Sequence, residues 1–267
     1  YDDVQSIYKL NLEMKKRRCL VHELVLNKDK SIITVVNGIS YVLIKLCKYK
    51  NDKVFLNDIN YIQNMTVNIE CDKSLVRNDW IKLWSEKIDY YEYQISQVGK
   101  KYPLLCDSLS YFIGMGENAI SYLVNNLDSK TNVNLVVSHK RIYQESGSLN
   151  FYDPLNFVVD SRVRDVAEFI KETFYNKTLN LYDLKSYFNM ANLNKNEYIL
   201  LLGRLLFPTY YFDIYDDIIN KGKSEELVIN IIDRTDEYES LLNTIYKFIL
   251  YEKKARLEPI EWLQDKN

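Results

Sequence analysis

The stretch from Val136 to Ile170 holds the residues whose types could do chemistry: His139, Arg141, Glu145, Ser146, Asp160 and Asp165. A short apolar run ends at His139, a polar loop follows, and a second apolar run (Phe157, Val158, Val159) ends at Asp160. An amphipathic helix is expected to begin near Arg164. Asp160 falls twenty-one positions after His139 (160 minus 139). The chemistry at stake is proton transfer by a loop carboxylate and cation binding by a strand-end acid. The loop supplies only part of it. A base must offer an acceptor, and the Arg141 guanidinium has only donors and a charge that does not titrate. Ser146 offers a neutral hydroxyl, a poorer partner than a carboxylate for a hard cation. Glu145 is the nearest carboxylate able to substitute as a base, and Asp160 is the candidate metal ligand. A plainer reading makes Ser138 to Arg141 a strand end and Asp160 a helix-start acid, with Asp165 favouring the first helical turn by its charge.

The order strand, loop, strand, acid, helix resembles the loop of the aminoglycoside phosphotransferase and choline kinase superfamily. There a His-x-Asp opens the catalytic loop, and an Asp ending the next strand holds magnesium. On that resemblance Arg141 occupies the catalytic Asp slot and Ser146 the slot of the metal-binding Asn. The stretches DWIKLWSEKIDYYEYQ (Asp79 to Gln94), SYFIGMGENAISYLV (Ser110 to Val124), RLLFPTYYFDIYDDI (Arg204 to Ile218) and IEWL (Ile260 to Leu263) are similar to a spore-coat-associated, kinase-like branch of the superfamily. The likeness runs from about Val21 to Leu263, and in that branch the loop is commonly degenerate. It implies a buried His139 bonded within its own loop or to the helix start, and an Asp165 bonded to backbone N–H groups. It also implies that His139 and Asp160 lie at adjacent strand ends, at the mouth of a cleft between a small piece and a helical lobe.

The elements that must position these residues fall into two parts. A helix is expected over 2 to 19, with apolar Val4, Ile7, Tyr8, Leu10, Leu12 and Met14, followed by strands at 21 to 26, 31 to 36 and 40 to 46. Asn37-Gly38 joins the last two and is the strongest short hairpin signal in the chain. After a short helix near 55 to 65, nearly everything outside the two loop strands is helical. Lys45 ends a Val-Leu-Ile-Lys run, but without a glycine-rich loop before it or a helix carrying a partner Glu after it, it reads as an ordinary edge-strand lysine. The resemblance makes residues 2 to 19 the helix that follows a nucleotide-binding lysine strand, with Glu13 as candidate ion-pair partner. The chain begins at Tyr1 without methionine, so the first strands and phosphate-covering loop of such a kinase are expected outside it. Gly114 and Gly116 interrupt a helical pattern at about 1 kcal/mol each relative to Ala. They read as close packing beneath the loop, with Glu117 or Asn118 buried and bonded there.

Composition bounds the function classes. The chain has 267 residues, 47% of them hydrophobic and 13% aromatic, enough for one large core or two lobes. With 35 basic and 37 acidic residues the net charge is -2, so no global field draws it to nucleic acid or an anionic membrane. The basic run Lys15 to Arg18 reads as a solvated helix face. Cys19, Cys47, Cys71 and Cys106 are widely spaced, which suggests neither a zinc site nor a disulfide framework and fits a reducing compartment. His22 reads as a packed residue of a strand. No signal peptide opens the sequence, and no window reaches the roughly 18 to 20 apolar residues of a membrane span. The stretch Tyr198 to Phe212 is broken by Arg204 and Pro208, and reads as buried helix ending in a turn.

The expectation is therefore an α+β, protein-kinase-like fold of aminoglycoside phosphotransferase type. Residues 1–50 would be a reduced N-terminal lobe and 51–267 a large helical C-terminal lobe, with the catalytic-type loop at 136–165. The leading function is a pseudokinase acting as a binding or scaffold module, cytoplasmic and spore-associated, with a protein or small molecule as partner. The alternative is a divergent phosphotransferase acting on an alcohol group with Mg-ATP, using Asp160 for magnesium and Glu145 as base. A third class is a helical interaction protein whose loop match is accidental.

Overall fold

In the computed structural model the described residues are 3–48, 52–128 and 133–264, apart from the side chains of Ser146, Ser148 and Gln264. The chain divides into two compact units. The first comprises Tyr1–Asn78, Val133–Phe169 and Asn180–Asn192, and the second Asp79–Asn132, Ile170–Leu179 and Leu193–Asn267. Packing thus groups the catalytic-type loop with the small sheet, whereas the division expected from sequence at 50/51 grouped it with the helices.

The first unit opens with helix α1 (Val4–Lys16), which buries Val4, Ile7, Leu10 and Met14. Strands β1 (Glu23–Val25), β2 (Ile33–Val36) and β3 (Ile39–Lys45) form an antiparallel sheet in the order β1-β3-β2. Asn37 and Gly38 both take positive φ, 53° and 77°, as the tight two-residue hairpin between β2 and β3 requires. Buried Asn11 fastens α1 to the strand beside it, donating to the His22 carbonyl at 2.8 Å and accepting from the Leu24 amide at 3.1 Å. His22 is itself buried, as its apolar neighbours imply. Lys45 ends the central strand of this sheet and not an edge, a correction to the sequence reading. Its ammonium is exposed, 3.9 Å from Glu23. Glu13 pairs with Lys16 at 3.0 Å and Arg17 at 3.7 Å on its own helix.

Helix α2 (Leu56–Met65) packs in the same unit against α7 (Leu181–Ala191) and against strand β4 (Leu135–His139), the partner of β5 (Phe157–Ser161). Gln63 of α2 is fully buried, yet both ends of its amide are satisfied. Its nitrogen donates to the Arg162 carbonyl at 2.5 Å, and its oxygen accepts from Tyr187 at 3.0 Å.

The second unit is helical: α3 (Trp80–Val98), α4 (Pro103–Asn126), α8 (Lys195–Leu206), α9 (Thr209–Lys221), the single turn α10 (Ile229–Ile232), α11 (Thr235–Tyr251) and α12 (Glu261–Gln264). Helix α6 (Val163–Tyr175) begins in the first unit and ends in the second, while α5 (Gly147–Phe151) lies in the loop of the first. The core of the helical unit is aromatic. Trp84 stacks on Phe207 at 4.3 Å, Tyr91 on Phe212 at 4.5 Å and Phe112 on Tyr211 at 3.8 Å. Asn194 and Glu197 form a capping box that starts α8. Pro208 separates α8 from α9 because it lacks the amide that would continue the helix. No helix among the described residues is long and apolar enough to cross a membrane.

Candidate functional site

The loop between β4 and β5 is held from every side within the first unit. Both strands are buried along nearly their whole length, which explains apolar runs without alternation. Their register pairs Val136 with Asp160 and His139 with Phe157. Thr66 accepts from the Val137 amide at 3.0 Å, and Val76 bridges Val159 in parallel. Beyond His139 the chain is clamped by Asn156. This side chain accepts from the Arg141 amide at 3.3 Å and donates to the Arg141 carbonyl at 2.8 Å. Gly147 turns the loop at φ +59°, and a Cβ there would lie 2.9 Å from the Asp52 carbonyl oxygen, so only glycine fits.

His139 is 2% exposed. Its amide donates to Asp165 Oδ1 at 2.9 Å, its Nδ1 lies 2.6 Å from Asp165 Oδ2, and its Nε2 lies 2.8 Å from the Phe151 carbonyl. The ring stacks on Phe151 at 4.6 Å and meets the edge of Phe157. Both ring nitrogens are engaged, so this histidine organises the loop and has none left for a substrate. Asp165, 1% exposed, holds the backbone of His139 from the first turn of α6.

Asp160 is fully buried, and both of its oxygens have partners. Oδ1 accepts from the Ser161 amide at 2.6 Å, and Oδ2 accepts from Arg164 Nη1 at 2.6 Å. The Arg164 side chain, 11% exposed, also donates from Nε to the His139 carbonyl at 3.1 Å. One guanidinium thus ties the two residues together. The antiparallel register corrects the expected placement: the end of β4 and the end of β5 lie at opposite ends of the ladder, and Arg164 is what links them. A magnesium ion asks for several oxygen ligands in open, hard coordination. Asp160 is committed to a guanidinium, and no group of three or more His, Cys, Asp or Glu able to hold a metal exists among the described residues. The residues present do not fit the ion.

Arg141 is exposed, its guanidinium donating to the Lys140 carbonyl at 2.9 Å. Glu145 faces solvent and pairs with Lys53 at 2.8 Å, with both side chains more than half exposed. It is spent as a surface ion pair. Ser146 closes the short turn Gln144–Ser146, its side chain lying outside what the structure describes. Glu117 and Asn118 are exposed, which corrects the expectation that they are buried and bonded under the loop. The cause is helical phase. Helix α4 runs unbroken through both glycines and buries Phe112, Ile113, Met115, Gly116 and Ala119, which turns positions 117 and 118 outward. Gly116 is closely packed, since a Cβ there would sit 2.9 Å from the Ile88 side chain, whereas a Cβ at Gly114 would meet nothing within 4 Å.

Sequence reasoning passed over Arg164 and Asn156. Arg164 had a signal, four residues after an acid at a strand-to-helix junction, the spacing that lets two side chains meet on one helical turn. Asn156 had none, because its function depends on the path of the loop.

The fold is shared with the crystal structure of aminoglycoside phosphotransferase from Alicyclobacillus acidocaldarius subsp. acidocaldarius DSM 446. The TM-score is 0.63 over 92% of this chain and 82% of that one, at 10% identity, a likeness of fold alone. The architecture is therefore α+β and protein-kinase-like, of aminoglycoside phosphotransferase type, with a helical C-terminal lobe. The endospore coat-associated protein YutH of Bacillus subtilis (strain 168) is 30% identical over 207 residues, covering 69% of this chain. The chain spans 61% of that relative's length. The family described as "Spore coat putative kinase YutH" matches residues 2–245, and this chain belongs to it.

Proposed function

We propose that the protein is a pseudokinase of the spore coat, a kinase fold kept as a binding or scaffold module and not as a phosphotransferase. The observation that carries this reading is the Arg164 guanidinium seated on Asp160, the acid that would otherwise face a metal. Arg141 in the base slot adds to it, since the incoming hydroxyl needs an acceptor that orients it and takes its proton, and a guanidinium has only donors. The coat association of the Bacillus subtilis relative, by its name, supports a spore location.

Titration calorimetry with Mg-ATP and Mg-GTP, paired with a phosphate-transfer assay over amino alcohols and sugars, tests the proposal. The expected result is weak or absent nucleotide binding and no turnover. Turnover that disappears in Asp160→Ala would establish the competing reading, a divergent phosphotransferase in which Arg164 swings away to admit magnesium and Glu145 leaves Lys53 to act as base.

A further inference from the structure

We infer that a groove on the helical unit, between α3 and α4, is a docking site for a basic amphipathic helix of a partner protein. The groove has a volume of about 380 Å³. Its floor is apolar, made by Ile95, Leu109 and Ile113, and its rim carries two carboxylates, Glu92 and Glu117. Both are exposed, and neither has an ion pair among the described residues. Gly114 of α4, three residues before Glu117, also lines it.

Gly114 is the observation that asks for an occupant. A glycine in the interior of a long helix is unfavourable, and tolerated glycines are commonly those a neighbour presses against, as Ile88 presses against Gly116. At Gly114 the protein itself supplies no such neighbour. The missing side chain keeps the groove open and allows another backbone to come close to α4. An apolar floor flanked by unpaired acids is complementary to a helix with an apolar stripe bordered by Lys or Arg, the helix-in-groove mode of recognition. Charge decides the sign of the partner, since an acidic helix would meet Glu92 and Glu117 as like charges.

The inference rests on the reading of the protein as a binding module and names its surface. Its test needs no nucleotide, so phosphotransfer and groove binding succeed or fail separately. The probes are a fluorescein-labelled leucine–lysine peptide with apolar residues at helical spacing, and the same peptide with Glu in place of Lys, read by anisotropy against the whole chain. The lysine peptide is expected to bind and the glutamate peptide not to. Gly114→Leu, which fills the groove while favouring the helix, should weaken binding by about tenfold or more, equivalent to about 1.4 kcal/mol. Glu92→Gln with Glu117→Gln should weaken it several-fold and flatten its salt dependence. Exposed Cys106 at the groove's edge should react more slowly with a thiol reagent when the lysine peptide is bound. No binding of the lysine peptide, equal binding of both peptides, or undiminished binding to Gly114→Leu would each overturn the inference.

Discussion

Helix α6 carries two cations, Arg164 part-buried and Lys171 buried, that serve different purposes. Near its start, Arg164 closes on a carboxylate, Asp160, and on the carbonyl of His139. Seven residues later (171 minus 164), Lys171, 2% exposed, donates to the carbonyls of Arg204 and Phe207 at 3.0 and 3.2 Å and to Thr209 Oγ1 at 2.5 Å. The first cation neutralises an acid. The second caps the C-terminal end of α8, where the helix leaves carbonyls without amide partners and where the dipole favours positive charge. What differs is what each cation satisfies: Lys171 completes an architectural joint, whereas Arg164 consumes a group that would otherwise be available for chemistry. A buried charge therefore does not mark function by itself, and its partner must be identified first.

Removing each cation should sharpen that contrast. Arg164→Met takes the guanidinium away from buried Asp160, and is expected to cost about 3 to 5 kcal/mol in urea unfolding. Adding Asp160→Asn to Arg164→Met should restore much of the loss, because the pair is then absent and not broken. An additive double variant would show that the two side chains are not coupled. Lys171→Met removes the donor shared by the Arg204 and Phe207 carbonyls and Thr209 Oγ1, and a loss of about 2 to 3 kcal/mol is expected, with an unchanged denaturant slope. If Lys171→Met proved the more damaging, the contrast between ion pair and cap would be reversed.

Smaller effects separate the two glycines of α4. Gly114→Ala should gain up to about 1 kcal/mol from helix propensity alone, and Gly116→Ala should fall short of that gain because its methyl meets the Ile88 side chain. Both are read from thermal unfolding. The smallest expected effect concerns the thiols and leaves stability unchanged. Burial pushes the Cys19 thiol up to about 12, so it should react last with a thiol-specific reagent at neutral pH, while exposed Cys106 reacts first. Early modification of Cys19 would mean that the first unit opens more readily than its packing implies.

Much of the architecture was legible because local signals agreed with the fold. The Asn-Gly turn fixed a hairpin, the two apolar runs gave the buried strands, and the family resemblance implied an Asp165 bonded to backbone N–H groups, of which the His139 amide is one. The site itself was half legible. Residue identity was enough to remove Arg141 from the role of base, since no environment gives a guanidinium an acceptor. It was not enough for Asp160, because an acid's availability depends on what stands opposite, and Arg164 was noticed only as the place where a helix begins. Glu117 and Asn118 failed for a different reason: a glycine-broken pattern left the phase of α4 undetermined, and phase alone decides which face is buried. Lys45 was placed on an edge because strand order cannot be read from strand sequence.

A counter-ion attached through the main chain has an effective concentration set by its tether and not by the surrounding medium. Dilution, chelators or a change in divalent-cation supply cannot withdraw Arg164 from Asp160 as they could withdraw a bound metal. The order of the His139 loop should accordingly be the same in EDTA as in millimolar magnesium, and hydrogen exchange at the amides of β4 and β5 should be indifferent to both.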